Sequence, residues 1–192
     1  MAPEEARLEA VGSGLVPVGP GWFVVNVAEA AWVRNDAFGA RCVFEASERV
    51  LQERPDLEPR HFDQLGYTLA VLEPGKATGM YHAESGQEDF LVLAGECLLL
   101  IEEEERPLRT WDFVHCPPGT RHTFVGTGEG PCVIFMTGAR REDSTIVYPV
   151  SETARMRGAG VDTETPRPSE AYAPFPSWRL GRPAAWADLP WA

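Results

Sequence analysis

The sequence lacks any apolar run long enough to cross a membrane, since no stretch approaches the roughly 20 residues that a spanning helix needs. The first ten residues, MAPEEARLEA, are acidic and have no apolar centre, so we expect no secretory signal there. Both absences favour a chain that folds and works in the cytoplasm.

Basic charge is also scarce. The chain has 17 Lys and Arg residues against 29 Asp and Glu residues, which gives a formal net charge of −12. Nucleic-acid phosphates and anionic lipid surfaces would be repelled, and no basic stripe offsets this repulsion. We therefore expect neither a nucleic-acid nor a membrane partner.

Cysteine is rare, and its spacing excludes the usual cysteine motifs. The four cysteines are far apart and form no C-x-x-C pair: Cys42, Cys97, Cys116 and Cys132. This pattern predicts buried reduced thiols rather than disulfides or zinc ligands, which again favours the cytoplasm.

Short β-type runs dominate the middle of the chain. Each run is rich in β-branched or aromatic residues and is bounded by Gly, Pro or charge, and no helical pattern lies between the runs. The predicted strands are Tyr67–Leu72, Met80–Glu84, Asp89–Leu93, Glu96–Ile101, Pro107–Arg109, Asp112–Cys116, His122–Val125 and Pro131–Met136. The pattern predicts an all-β sandwich or barrel over residues 65–150.

The two flanks have different compositions. Residues 1–64 predict an extension that packs on the barrel, with strands at 22–27 and 41–45 and a short helix at 47–52. Residues 151–192 begin with a helical turn or two and continue as a Pro-rich tail that holds three of the six tryptophans. Because exposed indoles are costly, we expect the tail to wrap the body of its own or a neighbouring subunit.

Two histidines and two acidic residues form the candidate site. His82 and Glu84 alternate on one strand and therefore share a face. Glu88 enters the next strand, and His122 follows a turn sequence rich in Pro and Gly. Two imidazoles with one or two carboxylates suit Fe(II), Mn(II), Ni(II), Co(II) or Zn(II), with positions left for water or substrate.

Several neighbours are candidates for the pocket around this site. Tyr81 and Gln87 flank the proposed ligands and could contact a substrate, although ordinary packing explains them equally well. Phe90 and Phe124 could form an apolar wall or belong to the core. We expect His115 and Cys116 to be a buried strand pair, and His61 to lie in an exposed loop.

Two stretches carry a recognisable spacing. Glu88 is followed by Gly95 after six residues, and His82 lies shortly before Glu88. Pro117–His122 has the order proline, any residue, glycine, two residues, histidine. Over about residues 67–136 the chain resembles the cupin superfamily, and as a whole it resembles an actinobacterial group of cupin-domain proteins of uncertain function.

The resemblance implies a double-stranded β-helix, or jelly-roll barrel, with extra N-terminal strands and a Pro- and Trp-rich tail. It implies that one divalent transition metal ion is bound by His82, Glu88 and His122, with Glu84 as a further ligand or a catalytic acid or base. It also implies a small-molecule substrate and a homodimer formed through sheet edges.

This sequence departs from the family pattern in one spacing, since six residues instead of five separate Gly75 from His82, and at three positions. Glu84 stands where the family has a second histidine, Trp111 replaces the glycine that opens the second motif, and Gly126 replaces its final asparagine. Two classes of function follow. One is a metal-dependent enzyme that catalyses a dioxygenase-like oxidation or a metal-assisted isomerisation, and the other is a non-catalytic protein that binds or senses a small molecule.

Overall fold

The computed structural model describes residues 2 and 4–192, and these residues form mainly strands. The strands are β1 (Arg7–Val11), β2 (Gly14–Val18), β3 (Val33–Asn35), β4 (Gly39–Cys42), β5 (Leu65–Leu72), β6 (Ala83–Glu84), β7 (Glu88–Ala94), β8 (Glu96–Ile101), β9 (Glu104–Arg109), β10 (Phe113–Cys116), β11 (His122–Thr127), β12 (Cys132–Ala139), β13 (Ile146–Val147) and β14 (Arg179–Leu180). The helices are α1 (Glu152–Met156), α2 (Pro168–Ala171) and a 3-10 turn at Trp186–Asp188. Within the described part of the chain, no helix has the length and apolar character of a membrane span.

Two antiparallel sheets make up the body. The larger has the strand order β10-β7-β12-β5-β4-β3-β14, and the smaller has the order β11-β8-β9. The β6–β13 pair joins the smaller sheet through a bridge between His82 and His122. Strands from both flanks therefore extend the larger sheet, since β3 and β4 precede residue 65 and β14 follows residue 151.

The sheets pack face to face through alternate residues. Phe90 and Ile134 of the larger sheet lie in one buried cluster with Leu99 and Phe124 of the smaller sheet. Side chains of a strand alternate between its faces, so these positions define the inner layer. The all-β jelly-roll fold predicted for this region is confirmed.

The outer faces are covered as well. On the smaller sheet, Leu98 and Leu100 pack with residues of α1 and α2. On the larger sheet, Val71 and Val133 pack with Trp32. Burial on both faces explains why Cys97–Ile101 is a continuous apolar run instead of an alternating one.

The tail packs against its own chain. The Trp32 side chain is fully buried, and its ring lies 5.8 Å from the Trp186 ring and 5.7 Å from the Trp191 ring. Trp178 packs under the guanidinium of Arg41, whose central carbon is 4.9 Å from the ring. Contacts within one subunit thus partly bury all three tail indoles.

Some local predictions hold and others do not. The helix expected after residue 150 forms as α1, and the hydroxyl of Ser151 caps it by accepting from the Ala154 N–H. The helix expected at 47–52 is only a turn, because the Ser47 carbonyl accepts from two N–H groups and no further helical bonds follow. The strand expected at 22–27 is absent, since only Trp22 forms a bridge.

The prediction that the cysteines are buried and unpaired is confirmed. All four cysteines are buried and none forms a disulfide: Cys42, Cys97, Cys116 and Cys132. Burial raises the pKa of Cys42 and of Cys116 to about 12, so both thiols stay protonated at neutral pH.

The Trp32 cluster yields the first prediction. Trp32→Ala removes a fully buried ring that two tail indoles contact, so the free energy of unfolding should fall by about 3–5 kcal/mol. Urea denaturation followed by circular dichroism measures this change. Trp22→Ala is the control: the Trp22 side chain is 53% exposed, so its loss should change stability by no more than about 0.5 kcal/mol. Equal losses for the two variants would contradict the packing described here.

Candidate metal centre

His82 and His122 are paired by their backbones. The His82 N–H donates to the His122 carbonyl at 3.2 Å, and the His122 N–H donates to the His82 carbonyl at 2.8 Å. Residues that exchange both hydrogen bonds in an antiparallel pair project their side chains to the same face. The two imidazole rings accordingly lie side by side, with centroids 5.0 Å apart.

Both imidazoles are held in the same tautomer. Nδ1 of His82 lies 2.8 Å from the Met80 carbonyl oxygen, and Nδ1 of His122 lies 3.1 Å from the Thr120 carbonyl oxygen. Because a carbonyl oxygen only accepts hydrogen bonds, each Nδ1 carries a proton. Each Nε2 then keeps a free lone pair, which is the arrangement that metal-binding histidines adopt.

Glu88 brings a carboxylate to the same point. It begins β7, where it pairs with Cys116 of β10 and Gly138 of β12. Its Oε2 lies 3.5 Å from Nε2 of His122. One ligand atom each from His82, Glu88 and His122 lies within 4.8 Å of the other two, a spacing that one ion could bridge.

Glu84 lies beside this group but is not part of it. It ends β6, and its Oε1 is 3.8 Å from Nε2 of His82. The carboxyl is half-buried. It is therefore placed next to the donors, where it could serve as a fourth ligand or as a proton donor and acceptor.

Burial sets the charge of the site. Burial raises the pKa of Glu88 to about 8, with the Glu84 carboxyl adding to the shift, and burial also raises the pKa of Glu84. Burial lowers the pKa of His82 to about 3, with His122 adding to the shift, and burial lowers the pKa of His122 as well. The imidazoles are therefore neutral at physiological pH, and Glu88 lacks a cation that would stabilise its ionised form. These residues fit a divalent ion, which would supply the missing positive charge.

The donors open onto a cavity of about 800 Å³, a size suited to a small molecule. Phe90 and Phe124 line it, whereas Tyr81 and Gln87 do not. Tyr81 is buried in the outer layer of the smaller sheet, where its hydroxyl accepts from the Glu103 N–H. Gln87 is exposed and donates to Asp89.

The cavity-lining residues that sequence reasoning missed include Arg41 of the N-terminal extension, Tyr148 near the end of the barrel region, and Tyr172 and Trp178 of the tail. The one available signal was Arg41, a single charge inside the apolar run from Ala40 to Phe44. The other three lie far from the motifs, and only the folded chain brings them to the cavity.

The other histidines lie elsewhere. Nδ1 of His115 is 2.6 Å from an Asp89 oxygen, and the His115 side chain is exposed because it alternates along β10 with the inward-facing Val114 and Cys116. The prediction that His115 is buried is therefore wrong. His61 lies in an exposed loop, as predicted, and contacts the carboxylates of Glu45 and Glu48.

Comparison with known families agrees with this geometry. Residues 68–138 match the family model described as the cupin domain, and the match contains His82, Glu88 and His122. Residues 68–138 of the chain therefore form a cupin domain.

Several solved structures are similar at a distance. A sugar phosphate isomerase of the cupin superfamily from Silicibacter pomeroyi is 24% identical with a TM-score of 0.43, and the match covers 56% of this chain and 62% of that one, less than two thirds of its length. A candidate sugar phosphate isomerase from Acidithiobacillus ferrooxidans is 20% identical with a TM-score of 0.47, covering 79% and 80%. KdgF from Halomonas sp. is 22% identical with a TM-score of 0.48, covering 65% and 98%. Likenesses this distant say nothing about the substrate. No curated protein sequence matches the chain.

The turn that opens the second cupin motif is hydrogen-bonded to the first motif. Gly119 has φ +85°, and its N–H donates to the Glu84 carbonyl at 2.7 Å. Glycine adopts this left-handed conformation without the steric penalty that a side chain brings. The turn therefore delivers His122 to the position opposite His82.

The motif departures have structural reasons or costs. At Gly126, a Cβ would lie 2.5 Å from the backbone oxygen of Glu73, which leaves no room for the asparagine of the family pattern. Trp111 stands at the usual glycine position with φ +76°, in the left-handed region, and its side chain is 72% exposed. The conformation at position 111 is thus one that glycine prefers and tryptophan adopts under strain.

Trp111→Gly should therefore stabilise the protein. Relief of the left-handed strain outweighs the extra chain entropy of glycine, so we expect the free energy of unfolding to rise by about 0.5–1 kcal/mol. Phe113→Gly is the matched control, because Phe113 is exposed in the adjacent strand and has no positive φ. Glycine disfavours strands, so this variant should lower the free energy of unfolding by about 1 kcal/mol. Urea denaturation of both variants measures the difference, and a destabilised Trp111→Gly would show that the indole makes stabilising contacts.

The shifted pKa values predict the pH dependence of the metal-free protein. The pKa of Glu88 is raised from 4.5 to about 8, so the folded state retains a proton that the unfolded chain has lost, and stability falls as pH rises through this interval. The pKa of His82 is lowered from 6.5 to about 3, so its contribution rises with pH and is complete near 6.5. The two effects oppose each other below pH 6.5, and between 6.5 and 8 the fall due to Glu88 remains.

Thermal unfolding of chelator-treated protein from pH 5 to 9 measures this profile. Glu88→Gln should flatten the decline above pH 6.5, because the amide does not titrate. Glu58→Gln, at an exposed carboxyl outside the site, should leave the decline unchanged. A decline that persists in Glu88→Gln would contradict the assignment to Glu88.

Proposed function

We propose that this protein is a mononuclear divalent-metal cupin that acts on a small organic molecule. The observation that carries the proposal is the cluster of donor atoms from His82, Glu88 and His122, all within 4.8 Å of one another. Both imidazoles direct a free Nε2 lone pair to this point, because each Nδ1–H donates a hydrogen bond to a backbone carbonyl.

The donor set and the cavity indicate the kind of chemistry. Two nitrogens and one carboxylate oxygen suit Fe(II), Mn(II), Ni(II), Co(II) or Zn(II), and the open side of the site faces the cavity. A bound ion would supply a Lewis acid. Phe90 and Phe124 form the apolar wall beside the donors and would exclude water from that side of a bound molecule.

Glu84 favours a redox-neutral reaction. Its carboxyl lies outside the donor cluster, and burial raises its pKa, which brings the group nearer to proton exchange at neutral pH. Oε1 of Glu84 could take a proton from one atom of a substrate and return it to another. A metal-assisted isomerisation uses such a group directly, so we propose this class of reaction over a dioxygen-dependent oxidation.

Metal analysis of the purified protein tests the metal site. Wild-type protein should hold about one equivalent of a divalent transition metal per chain, and His82→Ala, Glu88→Ala and His122→Ala should each lose most of it. His115→Ala is the matched control, because His115 also contacts a carboxylate but lies outside the donor cluster. Folded wild-type protein that stays metal-free after expression with added metals would overturn the proposal.

Glu84→Gln separates a catalyst from a binding protein. With a turned-over substrate in hand, this variant should retain metal and ligand binding but lose activity by roughly 100-fold or more, as expected for removal of a general acid or base. Tight ligand binding by the wild type without turnover across a broad panel of substrates would instead support a non-catalytic binding protein.

A further inference from the structure

The cavity has a second polar end, formed around Arg41 of β4. Arg41 lines the cavity together with His82. One terminal nitrogen of the guanidinium donates to the Thr78 carbonyl. Its Nε is buried and has no hydrogen-bond partner within the described chain. Arg41 therefore lines the cavity with a hydrogen-bond donor left unsatisfied.

Arg41 has no carboxylate to balance its charge. Among the described residues, no Asp or Glu oxygen lies within salt-bridge distance of Arg41. The ionisable groups that act on it most strongly are Tyr172, Arg49 and Tyr148, and none of them is a carboxylate. By contrast, Arg140, which also lines the cavity, has a carboxylate partner, because its guanidinium lies 2.7 Å from a Glu45 oxygen.

A second cation stands close by. Trp178 lies under both guanidiniums, with central carbons 4.9 Å away for Arg41 and 5.9 Å away for Arg49. Arg49 also lines the cavity and has no carboxylate partner among the described residues. The indole holds Arg41 in place without neutralising it, so the charge remains free to attract an anion.

Two tyrosines join this end of the cavity to the metal donors. The Tyr148 ring lies 5.9 Å from the His82 ring and 5.8 Å from the Tyr172 ring. The Tyr172 hydroxyl accepts from the Met80 N–H at 3.1 Å, which leaves its own proton available. Both residues line the cavity, so one small molecule could contact Arg41 and the metal centre together.

We propose that the ligand of this cavity is a small organic anion, whose carboxylate or phosphate is bound by Arg41 while its reacting end lies beside His82, Glu88 and His122. The assignment of the reacting end rests on the proposed function. The assignment of the anionic end rests on Arg41 alone.

The charge distribution would orient the ligand. Glu84 and Glu88 lie beside the two histidines and repel an anionic group, whereas Arg41 and Arg49 attract it. Two other charged residues that line the cavity are already paired, Arg140 with Glu45 and Glu48 with His61. A guanidinium binds planar carboxylates and phosphates through paired hydrogen bonds. The chain carries a net charge of −12, so two arginines without carboxylate partners in one cavity run against its overall charge.

Three probes of matched length test the proposal by isothermal titration calorimetry: 3-hydroxypropionate, 3-hydroxypropyl phosphate and the neutral 1,3-propanediol. Wild-type protein should bind at least one of the two anions about tenfold or more tightly than the diol at constant ionic strength. The tighter of the two anions identifies the group as a carboxylate or a phosphate. If neither anion binds more tightly than the diol, the proposal is overturned, and this comparison needs no variant.

Arg41→Met should abolish the preference for anions, because it removes the charge and keeps much of the side-chain volume. Arg182→Met is the matched control: Arg182 also stacks on an indole, 4.4 Å from Trp186, and donates to a backbone carbonyl, but it does not line the cavity. Circular dichroism checks that both variants fold. An undiminished preference in folded Arg41→Met, or an equal loss in Arg182→Met, would overturn the proposal.

The same titrations separate this inference from the proposed function. His82→Ala should lose metal yet retain the preference for anions, whereas Arg41→Met should retain metal and lose that preference. A wild-type protein that binds anions through Arg41 but never holds metal would refute the metal site alone. A metal-loaded protein without any preference for anions would refute the anion site alone.

Discussion

The backbone bridge between His82 and His122 is the contact on which the site depends. It is a single antiparallel pair, yet it joins the β6–β13 strands to the smaller sheet and sets two imidazoles on one face. The carbonyls of Met80 and Thr120, each two residues before its histidine, then fix both rings in the same tautomer. The backbone pairing of the sheet therefore fixes the positions of both imidazoles, and the site is as rigid as the sheet that carries it.

The flanks supply much of the cavity as well as covering the outer faces of the sheets. Arg41 comes from β4 in the extension, whereas Tyr172 and Trp178 come from the tail. The tail is held in turn by the contacts of Trp186 and Trp191 with Trp32. Packing far from the metal donors thus positions the residues that would select a ligand.

One cavity contains both carboxyls that lack a cation and a guanidinium that lacks an anion. At the metal end, buried carboxyls and neutral imidazoles lack a cation, and burial raises the pKa of Glu88 to about 8 as a result. At the other end, a guanidinium lacks an anion. Each end is costly without its partner, because a buried charge is stable only when it is paired or neutralised. A bound metal ion together with an anionic ligand would satisfy both.

The primary structure alone predicts the candidate metal ligands of this arrangement. Alternation places His82 and Glu84 on one face, the spacing of Glu88 and His122 matches the cupin motifs, and short apolar runs predict the two sheets. These are local relations of two to ten residues, which strand periodicity and turn chemistry control. Tertiary structure alone decided that Arg41 faces the same cavity as His82 and that Tyr81 does not. Which face of a strand meets which distant segment depends on packing between parts of the chain that lie tens of residues apart, and no local pattern encodes it.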